Sequence, residues 1–146
     1  MKNKSLLFII GALFLAYLGD NNILSGFFND SSPTSSSSST LMLAYNNQQS
    51  NKIIIASGSI LRLLRDDNEG RRHQKFIVRI SPELSILIAH NIDLAPRINS
   101  LKEGDHIEFK GEYEWNSKGG VVHWTHHDPQ GSHPGGWVKH RGKMYQ

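Results

Sequence analysis

Residues 101–113, LKEGDHIEFKGEY, form the clearest strand pattern in the chain. Ile107, Phe109 and Tyr113 alternate with charged side chains, so one face of this segment is apolar and the other is polar. Gly111 falls on the apolar side, where the lack of a side chain allows a strand to curve sharply. The pattern predicts a curved β-strand with one buried face.

Four more segments have the composition of β-strands. Residues 53–64 are a mostly apolar run interrupted by Gly58, which predicts a strand that bends or bulges at the glycine. The other three segments are residues 74–80, 84–89 and 121–125. Five short strands separated by polar turns predict an all-β domain, a small five-stranded OB-like barrel. An SH3-like barrel and an open sheet are the alternatives.

The first 30 residues have the pattern of an export signal. Two lysines within residues 1–4 precede the apolar run LLFIIGALFLAYL at residues 6–18, as in a secretory signal peptide. The run is short for a membrane span, which needs about 17–25 residues, but no A-x-A cleavage site follows it. We therefore expect residues 1–30 to be a signal peptide or a membrane anchor, and the protein to be periplasmic, membrane-anchored or secreted.

A serine-rich stretch follows this N-terminal hydrophobic helix. Residues 31–40 read SSPTSSSSST, which is too poor in apolar side chains to form a core. We expect residues 31–51 to be a disordered, flexible linker and the barrel domain to comprise residues 52–146. The chain has no cysteine, which excludes disulfides, cysteine-ligated zinc and a lipid anchor on an N-terminal cysteine. Contact with a membrane is therefore expected through the N-terminal segment.

Positive charge is concentrated at the C-terminal end. Residues 41–117 carry ten Lys/Arg and ten Asp/Glu, whereas residues 118–146 carry four Lys/Arg and a single acidic residue, Asp128. This distribution favours an anionic partner for the tail, either a nucleic acid or another polyanion. A solvated basic end is the alternative.

The same tail is rich in side chains that bind metals or transfer protons. Five of the eight histidines and two of the three tryptophans lie within residues 119–146. A turn at Pro129–Gly131 can bring its two arms together. The predicted ligands of a divalent metal such as Zn or Mn are His126, His127, Asp128 and His133.

Three roles are open for this group. With a metal, a bound water would hydrolyse a phosphodiester or a similar bond. Without one, Asp128 would orient His127 or His133 as a general base; these three residues are the predicted catalytic groups. Alternatively, the histidines hydrogen-bond the backbone of a long loop and have a structural role.

A second group of tail residues combines an aromatic ring with cationic side chains. Trp137, Lys139, His140 and Arg141 are the predicted ligand-binding residues. The favoured function is a binding module of the cell envelope that holds an anionic or oligomeric ligand through its tail. The alternatives are a metal-dependent hydrolase of the phosphodiesterase or nuclease type and a structural envelope interaction protein.

Four segments resemble a small bacterial family known only as a domain of unknown function. They are HQKFIV at residues 73–78, AHNIDLAPRI at 89–98, GEYEWNSKGG at 111–120 and VHWTHHDPQGSHPGGWVKH at 122–140. The resemblance covers residues 53–146, and its most specific string is HWTHHDPxGxHxxGW. It implies a domain boundary and an important tail, but no activity.

A weaker similarity is to the staphylococcal-type nucleases, which are also exported and OB-like. It rests on Asn91-Ile92-Asp93 followed by Pro96, which is similar to their acidic loop. The rest of the arginine and glutamate pattern of that family is missing here. The similarity therefore implies no nuclease activity.

Overall fold

The computed structural model describes residues 33–146. The predicted signal peptide or membrane anchor at residues 1–30 lies outside the described residues. Within the described part, no helix has the length and apolar character needed to cross a membrane.

The described residues form one helix and seven strands. In chain order these are α1 (Pro33–Asn46), β1 (Lys52–Leu63), β2 (His73–Arg79), β3 (Ser85–Asn91), β4 (His106–Glu114), β5 (Val121–His123), β6 (Trp137–His140) and β7 (Lys143–Tyr145). The strands β1–β5 correspond to the five predicted strands. The hairpin β6–β7 was not predicted.

The first five strands close into a barrel. Their order in the sheet is β1-β2-β3-β5-β4, and β4 pairs back onto β1. The β3–β5 pair is parallel, whereas the other pairs are antiparallel. A closed five-stranded barrel leaves these strands without free edges, and the predicted all-β, OB-like barrel is confirmed.

Strand alternation places the core as the sequence predicts. Ile107, Phe109 and Tyr113 point inward with at most 1% of their surfaces exposed, and Glu108 on the opposite face is exposed. In β1 the irregularity of register falls between Ile60 and Arg62, beyond the expected position at Gly58. The glycine is needed for another reason: a Cβ there would overlap the Arg79 carbonyl oxygen.

The serine-rich stretch differs from the expected flexible linker. From Pro33 onward it forms α1, whose C-terminal half buries Leu41 and Ala44 in the core beside β1. Serine is a poor helix former, but packing of an apolar face outweighs intrinsic propensity. The compact unit therefore begins at Pro33 and not at Lys52.

Candidate functional site

A long loop, residues 124–136, leaves the barrel between β5 and β6. Both strands pair with β4: β5 with Glu112–Glu114 and β6 with the segment from Ile107 to Lys110. The Gly136 amide donates to the His126 carbonyl oxygen over 2.9 Å and so joins the two ends of the loop. A Cβ at Gly136 would overlap the Trp124 and Lys110 carbonyl oxygens, so only glycine fits this closure.

Strand β5 ends where the loop begins because of its backbone conformation. Trp124 has a φ of 56°, in the left-handed region that side chains other than glycine rarely adopt. Such a conformation persists only where the surrounding structure holds it in place. The turn there redirects the chain from the barrel wall into the loop.

Asp128 organises the loop from within. Its Oδ1 accepts a hydrogen bond from the Gln130 amide at 3.0 Å. Its Oδ2 accepts from the Ser132 hydroxyl at 2.8 Å, from the His133 amide at 2.9 Å and from the Ser132 amide. These donors, the Ser132 hydroxyl first among them, hold the pKa of Asp128 well below its usual range. The carboxylate is thus already engaged by the loop backbone.

His126 and His133 have the same hydrogen-bond arrangement. Nδ1 of His126 donates to the His127 carbonyl oxygen at 2.7 Å, and Nδ1 of His133 donates to the Pro134 carbonyl oxygen at 2.9 Å. A carbonyl can only accept, so each neutral ring carries its proton on Nδ1 and leaves Nε2 as an acceptor.

The free Nε2 of His126 faces a cavity. The residue is only 3% exposed, and no hydrogen bond to this nitrogen is formed by residues 33–146. Among these residues no fully buried side-chain nitrogen or oxygen lacks a partner. The nitrogen must therefore be reached by solvent from the adjoining cleft, which His126 lines.

This cleft, here called the histidine cleft, has a volume of about 680 Å³. It lies over the start of β2, the end of β3, the end of β5 and the loop. Its polar and aromatic lining consists of Arg71, His73, Asn91, Asp93, His123, Trp124, His126, Asp128, Gln130, Ser132 and His133. The Trp124 ring stacks on His133 with centroids 4.2 Å apart and meets His123 at 5.0 Å. Both neighbours restrict access to the Trp124 ring.

A group of two carboxylates and an imidazole adjoins the histidine cleft through His123, the member that lines it. Glu112 on β4 is directly opposite His123 on β5, and Glu114 follows on the same face of β4. Nε2 of His123 is 3.6 Å from Oε1 of Glu112 and 3.9 Å from Oε1 of Glu114. Burial raises the pKa of Glu112, as does the adjacent Glu114, and burial lowers the pKa of His123.

The predicted metal and catalytic residues are only partly brought together. His126, Asp128 and His133 line the histidine cleft, whereas His127 is exposed and does not line it. Nε2 of His133 is 3.9 Å from Oδ2 of Asp128. Within residues 33–146, the group of potential ligands whose atoms all lie within 4.8 Å of one another is Glu112, Glu114 and His123.

The predicted ligand-binding residues lie elsewhere, on β6 and the turn after it, and three of the four have acidic partners. Lys139 is 3.5 Å from Glu108, and His140, only 1% exposed, is 2.8 Å from Asp105. Arg141 is 3.3 Å from Asp105. Trp137 is half-buried opposite Lys110 of β4. Two of the four Lys/Arg side chains of residues 118–146 are therefore paired with carboxylates.

The sequence prediction did not identify Glu112, Glu114 or His123 as a group. A signal was present, because two glutamates on one face of a strand stand across a short hairpin from a histidine. Arg71 and His73 had no such signal. They line the histidine cleft from the start of β2 and the turn before it. No local sequence pattern predicts that contact.

Replacing Asp128 by alanine should destabilise the loop. The change leaves the Gln130, Ser132 and His133 donors without their acceptor, so the urea midpoint of unfolding should fall. Urea unfolding measures the loss. His127→Ala is the control: its side chain is exposed, so the effect should stay within about 0.5 kcal/mol. Equal losses would show that Asp128 does not organise the loop.

The barrel, the loop and the histidine cleft all fall within the match to one protein family. A family model described as "Protein of unknown function (DUF3465)" matches residues 23–146. No curated protein matches the chain.

Proposed function

The chain belongs to the DUF3465 family, whose function is unknown, and we propose that it is an OB-type binding module whose site is the histidine cleft. The observation that carries this proposal is the position of the cleft. OB barrels bind oligomeric ligands on the face of strands 2 and 3 and on the loops beside it, and the cleft lies over the start of β2 and the end of β3. The step from the barrel fold to ligand binding is an analogy with other OB barrels.

The size and lining of the cleft support a polar ligand. Its volume of about 680 Å³ falls in the ordinary range of small-molecule sites, roughly 300–1,000 Å³. Arg71 has no carboxylate within ion-pair distance among residues 33–146, whereas its neighbour Arg72 is bound to Asp93 at 2.7 Å. The free guanidinium suits a carboxylate, sulfate or phosphate group, which it can bind with two hydrogen bonds.

The hydrogen-bond acceptors in the cleft restrict the chemical groups that the ligand can present. Nε2 of His126 accepts hydrogen bonds and would pair with a hydroxyl or amide of the ligand. Trp124 is already in contact with His133 and His123, so it does not offer a free stacking surface for a base. We therefore favour an anionic oligomer held by charge and hydrogen bonds, such as an acidic oligosaccharide, over single-stranded nucleic acid. This proposal moves the site from the β6 residues to the histidine cleft.

Arg71→Ala should weaken binding of an acidic oligosaccharide by ~1.5–3 kcal/mol, roughly 10- to 150-fold, because a charge-assisted contact is lost. Calorimetric titration with a sulfated oligosaccharide and an oligonucleotide of equal charge makes the measurement. Arg62→Ala is the matched control, since Arg62 is an exposed arginine of β1 outside the cleft. Equal losses in the two variants, or no binding by the wild-type protein, would contradict the proposal. Tighter binding of the oligonucleotide would favour nucleic acid.

The second candidate function is a metal-dependent hydrolase. The specific observation in its favour is the proximity of Glu112, Glu114 and His123, of which His123 lines the same cleft. Asp128 is a poorer choice for its chemistry, since its oxygens are bonded to the loop. A role outside the cytoplasm, in the cell envelope, remains part of the proposal and rests on the signal pattern of residues 1–30.

A further inference from the structure

We infer that Glu112, Glu114 and His123 bind a divalent transition metal ion at the edge of the histidine cleft. The ligand set is one imidazole nitrogen and two carboxylate oxygens, which suits Zn²⁺ or Mn²⁺. The inference is independent of the proposed oligomer, because the ion would bind whether or not the cleft holds a ligand.

The distances within the group favour an ion over direct contact. Nε2 of His123 is 3.6 Å from one carboxylate and 3.9 Å from the other, which is beyond the usual hydrogen-bond range of about 2.7–3.2 Å. Two atoms held about 2.0–2.2 Å from a tetrahedral zinc lie roughly 3.3–3.6 Å apart. The 3.6 Å between His123 and Glu112 fits two ligands of one ion, and the 3.9 Å to the more exposed Glu114 requires a small shift of that side chain.

The backbone that carries the group is rigid. Glu112 and His123 are paired residues of β4 and β5, and Glu114 is two positions along the same strand. Both strands belong to the closed barrel, so little ordering is required when an ion binds. The side chain of Glu112 is only 12% exposed. Two adjacent carboxylates in a partly buried place repel each other, and a dication would remove that repulsion.

A second imidazole with an open acceptor nitrogen lies in the same cleft, which both His123 and His126 line. Only 3% of His126 is exposed. Its Nε2 faces the cleft and has no hydrogen-bond partner among residues 33–146. Its Nδ1 donates to a backbone carbonyl. Metal-binding histidines have the same arrangement, in which the second ring nitrogen is held by a carbonyl or carboxylate.

His133 extends the group towards the loop. Its ring stacks on Trp124, which in turn contacts the ring of His123, and its side chain is 8% exposed. Three protein ligands leave at least one position free at a tetrahedral ion, as in catalytic zinc sites. Because His123 and His133 both line the histidine cleft, water or a ligand group could reach the ion from there.

The test is metal binding by the full-length protein with zinc chloride or manganese chloride as the added metal. We expect one ion per chain by calorimetry and by metal analysis after dialysis. Glu112→Gln and His123→Ala should each weaken binding at least about 100-fold, the upper range for loss of an outer-shell partner alone. Glu108→Gln, on the same face of β4 but near Lys139, should bind as the wild type does.

Four results would overturn the inference. They are failure of the wild-type protein to bind either metal, unchanged affinity in both ligand variants, an equal loss in Glu108→Gln, and loss of the metal in His126→Ala with full retention in Glu112→Gln. If Glu112→Gln fails to fold, Glu114→Gln replaces it, because Glu114 is more exposed. Metal binding without oligosaccharide binding would support this site while contradicting the proposed function, so the two failures can be distinguished.

Discussion

Phe109→Ala should lower the free energy of unfolding by about 3–5 kcal/mol, as expected for truncation of a fully buried aromatic side chain. Phe109 is 0% exposed in the centre of β4. It is paired with Ala56 on β1 and Val138 on β6, so the cavity would form where the barrel meets the C-terminal hairpin. Urea unfolding followed by far-ultraviolet circular dichroism measures the loss.

Glu108→Ala is the matched control on the next position of the same strand. The side chain of Glu108 is 48% exposed and lies 3.5 Å from Lys139. Exposed ion pairs contribute little, so the change should stay within about 0.5 kcal/mol. Similar losses at both positions would mean that β4 does not present one face to the core.

Acidification from pH 6.5 to pH 4 should remove about 2.5 kcal/mol of stability through His90 alone. The residue is 0% exposed, and burial lowers its pKa from 6.5 to about 4. Nε2 is 3.2 Å from the Pro96 carbonyl and therefore donates to it. Nδ1 then accepts from the Thr125 hydroxyl at 2.8 Å. This neutral ring ties the end of β3 to the residue after Trp124.

The sign follows from proton uptake. Between the two pKa values the unfolded chain binds a proton at His90 and the folded chain does not, so stability falls as the pH decreases. Well below pH 4 both states are protonated and this contribution stops changing. The nearby His126 and His73 lower the pKa further when they are charged.

Unfolding measured at several pH values can isolate this effect. His90→Gln should reduce the slope of stability against pH between 6.5 and 4, even if the variant is less stable overall. His106→Gln is the control, because His106 is exposed at the start of β4. An unchanged slope in His90→Gln would show that this residue is not the group held neutral.

Much of the fold could be predicted from local patterns. Alternation of apolar and polar side chains along a strand depends on neighbours two positions apart, so β1–β5 are visible without any tertiary information. The distinctive tail contains the loop at residues 124–136. The pairing of Asp128 with its own loop was missed, because a carboxylate next to histidines has the same composition whether it binds a metal or the backbone.

Other elements depend on partners far away in the chain. The serine-rich stretch reads as a flexible linker, and its helix is stabilised by contacts of Leu41 and Ala44 with a core that exists only once the barrel has formed. The segment Trp137–His140 is too short to read as a strand, and β4 supplies its pairing partner. In both cases the deciding energy is burial against distant residues.

The amino-acid sequence by itself determined an all-β barrel, its buried faces and a chemically distinctive tail. Only the tertiary structure decided which polar groups meet. It directs the cationic side chains of β6 to Asp105 and Glu108, and it brings Arg71 to the cleft at the loop. It also places His123 opposite Glu112. The physical reason is that strand register and barrel closure set these distances, and neither is encoded in the spacing of residues along one segment.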